Sequence, residues 1–379
     1  MTTAVGARPV GERERQLAPD LARGVMLALI AIANSAIYLY DRPYGIRQHV
    51  IETGLADRVT SVIAMSLVDA RAYPMFAALF GYGMVQIWNR RRDDAEGRRV
   101  LRRRSLWLLV FGAVHATLLF SGDVLGVYGL IGLVICLLLR VRDRTLLTLA
   151  AVWMVPVALS AMLAYSTSYG STERTYFWSF TAENPLTALT LRPIEWLITP
   201  FGLLGVFTAA LVGVWAGRRE LLSTPTPLLR RVALWGPIIG AVGGLPVGLV
   251  AGGFLTAPGS SAMLYNAAHM VTGVAGGLGY AAAMGLLAHA IGARRGPVVT
   301  ALAACGQRSM TCYLLQSVVF VALLAPYTAG LGAWLGTAAT AVLAIATWAS
   351  TVVVAELMRR AGMRGPAETL LRRLVYRRG

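Results

Sequence analysis

The sequence predicts an all-α, polytopic helical membrane protein with about ten transmembrane helices, and three observations carry that prediction. Hydrophobic residues make up 56% of the chain and charged residues 14%, with a mean hydropathy of +0.62. A soluble domain has about 25% charged residues. The apolar residues fall in successive runs of about 20, the length that crosses a bilayer core. Between those runs the basic residues, all of them arginine, concentrate in alternate segments. The net charge of +17 therefore reports topology, and no nucleic acid partner is expected.

Residues 1–19 are polar and read as a cytoplasmic N-terminal tail, 20–358 as the transmembrane bundle and 359–379 as a basic cytoplasmic tail. Pro19-Asp20 starts the first span, 21–40, which has no small-residue cleavage site and is read as a retained helix. The stretch 60–88 is too long for one perpendicular crossing and is interrupted by Asp69, Arg71 and Pro74. It divides into an interfacial helix and a second span, 72–88, whose Phe80-Gly81-Tyr82-Gly83 permits close packing. Spans three to five are 101–120, 123–139 and 145–165. A large external loop, 166–192, precedes spans six to ten: 193–216, 232–254, 263–289, 300–324 and 335–356. Glycine-rich spans seven and eight suit tight helix contacts and would suit a homodimer. The segment 366–376 reads as an amphipathic helix on the inner surface.

Ten spans put both termini on one side. Of the 35 basic residues, only Arg42, Arg47, Arg58, Arg71, Arg174 and Arg192 fall in segments placed outside, and Arg308 lies within a span. The remainder are inside, as expected for a multi-pass plasma membrane protein with cytoplasmic termini. Cys136, Cys305 and Cys312 lie in apolar runs without metal-ligand spacing, and no metal site is expected.

Ionisable groups at membrane depth are costly and usually face a bundle interior. The stretch 100–128, VLRRRSLWLLVFGAVHATLLFSGDVLGVY, places Arg104 and His115 on one helix, eleven residues apart. That is about three turns and roughly 16 Å of rise, returning to nearly the same face. A buried neutral imidazole can act as general base. Asp123, across the short turn, can orient it, or can instead cap the fourth span. Arg104, with Arg103 and Arg23 at the same inner face, suits phosphate through paired guanidinium bonds. Positive-inside anchoring is the competing account of Arg103. Asn34, Asp69, Arg71, Tyr128, His269, Tyr313 and Gln316 come from several spans and are expected to line one outward-opening cavity with His115. Simple interhelical hydrogen bonding is the alternative for each of them.

The segment PDLARGVMLALIAIANS resembles the opening helix of the YeiB family, which contains the DUF418 domain and an Asp-Leu-x-Arg-Gly signature. RAYPMFAALFGYGM is similar to that family's LFG-x-G segment. VHATLLFSGDVLGVYGLIGL is similar to its His-x(7)-Asp-x-Leu-x-x-Tyr signature, here His115, Asp123, Leu125 and Tyr128. GQRSMTCYLLQS and RGPAETLLRRLVY match its C-terminal pattern, with Ala22 and Cys312 as departures from the usual Leu and Asn.

That family in turn resembles the transmembrane acyltransferases, in which an Arg-x(10)-His motif is tied to activity; Arg104 and His115 have that spacing. The resemblance implies a transmembrane-acyltransferase-like bundle. It also implies transfer of an acyl group from cytosolic acyl-CoA, a co-substrate and not a covalently held cofactor. The acceptor would be a cell-envelope glycan, a glycolipid or a small metabolite. A transporter or lipid-handling protein would use the same polar cavity without acyl-CoA, and a scaffold would tolerate loss of His115. The topology is tested by cysteine labelling on a cysteine-free background. Positions in 166–192 should label from outside, and labelling only from the cytoplasm would overturn the arrangement.

Overall fold

The computed structural model describes residues 17–91, 93–166 and 172–376. Among these the regular elements are helical, with one isolated bridge between Tyr44 and Val50. The chain runs α1 (Leu17–Ser35), α2 (Leu55–Leu67), α3 (Ala72–Asn89), α4 (Asp94–Leu118) and α5 (Val124–Leu138). It continues through α6 (Asp143–Val152), α7 (Met154–Ser166), α8 (Pro185–Gly202), α9 (Gly205–Arg218) and α10 (Pro227–Ala251). It ends with α11 (Gly259–Ile291), α12 (Pro297–Gln307), α13 (Ser309–Leu324), α14 (Thr337–Arg360) and α15 (Pro366–Tyr376).

Six stretches among the described residues are long and apolar enough to cross a membrane, or eight if each of two bent pairs is one span. The expected ten also included α4 and α5. The first carries Arg102, Arg103 and Arg104 in the membrane-length segment, and the second has only 15 residues. Large apolar side chains such as Leu234, Trp235, Ile238 and Val242 on α10 lie exposed on the outer wall of the bundle. Apolar surface turned outward along whole helices is the arrangement hydrocarbon demands.

Two expected spans are broken. The sixth begins earlier than residue 193, because Asn184 caps the Leu186 amide and Pro185 takes the first helical position. Arg192, assigned to the external loop, is therefore inside α8 and buried. It donates to the Leu118 carbonyl at 2.8 Å and to the Tyr327 hydroxyl. Near Pro200 and Gly202 the chain bends by 59° into α9. The ninth span, expected to be continuous over 300–324, turns by 85° at Arg308, between α12 and α13. Glu368 of α15 fills the break. Its carboxylate accepts from the Met310 amide at 2.8 Å, the Thr311 amide at 3.1 Å and the Thr311 hydroxyl. A helix start within a bundle leaves amides without intrahelical partners, and an acidic residue answers that need.

Close helix approach rests on small residues. A Cβ on Gly24 of α1 would overlap the Leu302 carbonyl of α12, and one on Gly306 would overlap the Asp20 carbonyl. Gly81 of α3 and Gly213 of α9 face the backbone of the opposite helix in the same way. Gly83, by contrast, leaves room for the Arg23 guanidinium.

At the end of the bundle that holds the turn between α4 and α5, Tyr38, Phe120, Phe180 and Phe320 form a closed aromatic cluster. The segment that supplies Phe180 is tied to α8 by Glu195, which is wholly buried. Its carboxylate accepts from the Ser179 amide at 2.7 Å, the Ser179 hydroxyl at 2.6 Å and the Ser121 hydroxyl. Glu195→Leu should leave these donors stranded, at about 1–3 kcal/mol each. Thermal unfolding in detergent should show a clear drop, and an unchanged midpoint would contradict the assignment.

Candidate functional site

His115 lies in the last turn of α4, and the turn 119–123 reverses the chain into α5. Its Nδ1 is 2.8 Å from Asp123 Oδ1 and its Nε2 is 2.9 Å from Ser317 Oγ on α13. A carboxylate only accepts, so in the neutral ring Nδ1–H donates to Asp123 and Nε2 is left to accept from the serine hydroxyl. The second oxygen of Asp123 accepts from the Gly126 amide at 2.7 Å. Asp123 thus both caps α5 and holds the imidazole, the two roles open from its sequence position. His115 is 3% exposed, Asp123 0% and Ser317 2%.

Around this trio the other expected residues divide. Tyr313 stands with its ring 4.9 Å from the His115 ring. Its hydroxyl, and both side-chain polar atoms of Gln316, are buried without a hydrogen-bond partner among the described residues. Asn34 of α1 accepts from the Tyr73 hydroxyl at 2.6 Å, and Tyr128 donates to the Tyr73 carbonyl at 3.0 Å. These side chains are buried with His115. The expected outward opening is replaced by a packed site, covered by the aromatic cluster whose Phe120 lies 6.4 Å from the His115 ring.

Asp69, Arg71 and His269 form a different cluster. Asp69 Oδ2 accepts from Arg47 at 2.7 Å and lies 3.1 Å from His269 Nε2. Arg71 donates to His269 Nδ1 at 3.0 Å, to the Met65 carbonyl at 3.2 Å and to the Gly240 carbonyl. Arg47 also donates to Asn266 at 3.0 Å. Arg71 has no exposed surface. It ties α3 to α10 and α11, which makes it an internal strut of the bundle in place of the cavity wall expected. The single cavity is therefore two polar clusters, one around His115 and one around Asp69.

At the end of the bundle away from His115, Arg104 of α4 lies within the electrostatic reach of Arg23 of α1. Arg23 is 3.7 Å from Asp20. Arg104 Nε is buried without a hydrogen-bond partner. A guanidinium with an unanswered donor and a second cation nearby suits an anion with several oxygens. Arg103, on the same turn, is half-buried and makes other contacts.

Ser317 and Glu195 were not singled out from the sequence. Ser317 follows Gln316 directly and lies four residues after Tyr313, so helical spacing puts it on Tyr313's face. That spacing was the available signal. Glu195, between Pro193 and Trp196 in an apolar run, was visible only as a charge out of place.

The DUF418 family profile, described as a protein of unknown function, matches residues 216–378. The uncharacterized protein YxaH of Bacillus subtilis (strain 168) is 25% identical over 405 aligned positions, which cover 97% of this chain and 96% of that protein. The uncharacterized protein YeiB of Escherichia coli (strain K12) is 30% identical over 134 residues, 34% of this chain and 32% of that protein.

The two jobs of Asp123 can be separated. Asp123→Ala should lose about 0.5–2 kcal/mol through the cap alone, whereas Asp123→Asn keeps a good capping side chain. Thermal unfolding of the two variants in one detergent should rank asparagine clearly above alanine. Equal losses would mean that the cap contributes nothing.

Proposed function

This chain belongs to the YeiB-type DUF418 family of helical membrane proteins, and from that premise we propose that it is an acyl-CoA-dependent acyltransferase of the plasma membrane. The observation that carries the reading is His115, buried between a carboxylate and a hydroxyl on the helix that bears Arg104. Its oriented imidazole is the general base, and Asp123 sets the tautomer. Arg104 and Arg23, with Arg103 beside them, take the phosphates of acyl-CoA from the cytoplasm. The acyl-pantetheine arm then follows α4 for roughly 16 Å to His115. The acceptor, an envelope glycan, glycolipid or small metabolite, reaches His115 from outside past the aromatic cluster.

A base catalyst of this kind contributes about 10²–10⁴-fold. His115→Ala should therefore remove most release of CoA thiol, while acetyl-CoA still binds. Arg104→Ala should weaken acetyl-CoA binding by about 1.5–3 kcal/mol, the scale of a charged hydrogen bond. Arg104→Lys should restore only part of it, because an ammonium lacks the planar two-point contact. Calorimetry on protein in nanodiscs checks the binding side without knowledge of the acceptor. No binding of acetyl-CoA by folded wild-type protein would remove the acyltransferase reading in favour of transport.

A further inference from the structure

We propose that Ser317 is a catalytic nucleophile, so that transfer proceeds in two steps through an acyl ester on its Oγ; this rests on the acyltransferase reading. Three side chains from three helical segments, Asp123, His115 and Ser317, are in line through hydrogen bonds of 2.8 and 2.9 Å. That is the order of groups which activates a hydroxyl: carboxylate, imidazole, nucleophile.

A serine within a helix ordinarily donates to the carbonyl four residues back. Here that contact, to Tyr313, is long at 3.4 Å, while His115 Nε2 is at 2.9 Å. The hydroxyl proton is therefore directed at the base. Asp123 is held from its other side by the Gly126 amide, which fixes the oxygen presented to His115. Tyr313, one turn earlier on α13, and Gln316, the preceding residue, carry a buried hydroxyl and a buried amide without hydrogen-bond partners among the described residues. A buried donor left unused is costly to the fold. A carbonyl oxygen that becomes negative during attack is a partner both could serve.

In the first step Ser317 Oγ attacks the thioester carbonyl and its proton passes to His115 Nε2. The carbon–sulfur bond breaks, and His115 returns the proton to the departing CoA thiolate. In the second step an acceptor hydroxyl or amine attacks the seryl ester and gives its proton to His115. The bond to Ser317 Oγ breaks, the serine recovers a proton from His115, and the acylated acceptor leaves. No electrons are exchanged with any further reactant. The ester also suits a donor and an acceptor that arrive from opposite faces, since CoA leaves before the acceptor must bind.

The test uses full-length protein in nanodiscs with acetyl-CoA and, separately, an alkyl fluorophosphonate, followed by acid quench and peptide mass spectrometry. The expected result is an acetyl group and a phosphonate adduct on Ser317, both absent in Ser317→Ala and reduced at least about 100-fold in His115→Ala. Ser317→Cys should carry the acetyl group as a thioester released by neutral hydroxylamine. If Ser317→Ala binds acetyl-CoA and releases CoA at the wild-type rate, the serine is not the nucleophile, although the acyltransferase reading stands. If wild-type protein takes neither adduct while still binding acetyl-CoA, the two-step course is again overturned. If it binds no acetyl-CoA by calorimetry and takes no phosphonate, both readings fall together.

Discussion

Asp123 has no exposed surface, yet it sits in a bundle whose outer wall is hydrocarbon-facing. An ionised carboxylate in that position is tolerated only when its oxygens are bonded within the protein. One oxygen meets His115 and the other the Gly126 amide. This pairing sets how α4 joins α5, because the turn between them must bring residues 115 and 123 to one point. The free nitrogen of the imidazole then needs a donor of its own, and Ser317 brings α13 to the same place. The chemistry suggested for the site is a use of groups that the bundle must in any case keep paired.

The same constraint explains the irregular helices. Where α12 ends and α13 begins, the backbone turns by 85°, and side chains replace the lost ladder bonds. Arg308 donates to the Ala304 carbonyl at 3.2 Å and to the Met363 carbonyl, while Glu368 serves the amides opposite. The C-terminal helix α15 is thus more than an amphipathic surface element. It closes the N-terminal end of the helix that carries Ser317. Arg192 and Glu195 on α8 have a corresponding position at the opposite end, binding the tip of α4, the turn after it and the aromatic segment.

The two polar clusters also differ in what they leave unpaired. Around Asp69, the carboxylate, both histidine nitrogens and the Asn266 amide have partners, and Arg71 keeps one buried guanidinium nitrogen without one. Around His115, the Tyr313 hydroxyl and the Gln316 amide are the groups without partners among the described residues.

The chain by itself determined the all-helical membrane class, the apolar runs and the placing of Asp123 within one turn of His115, as its partner or as a cap. Each of these follows from local pattern: span length, helical period, or a spacing of eight residues across one turn. The caps at Asp123 and Asn184 are equally local, the second placing the start of α8 eight residues before Pro193. Only the tertiary structure decided that Ser317 meets His115 across 202 residues of sequence, that Glu368 answers the break at Arg308, and that Asp69 and Arg71 belong to a separate joint. Sequence period places a residue at a depth, but the rotation of each helix about its axis is settled by packing. Where glycines such as Gly24 and Gly306 let backbones touch, that rotation is set by atoms far apart in the chain. Position along each helix could therefore be read from the residues in order, while convergence required the whole bundle.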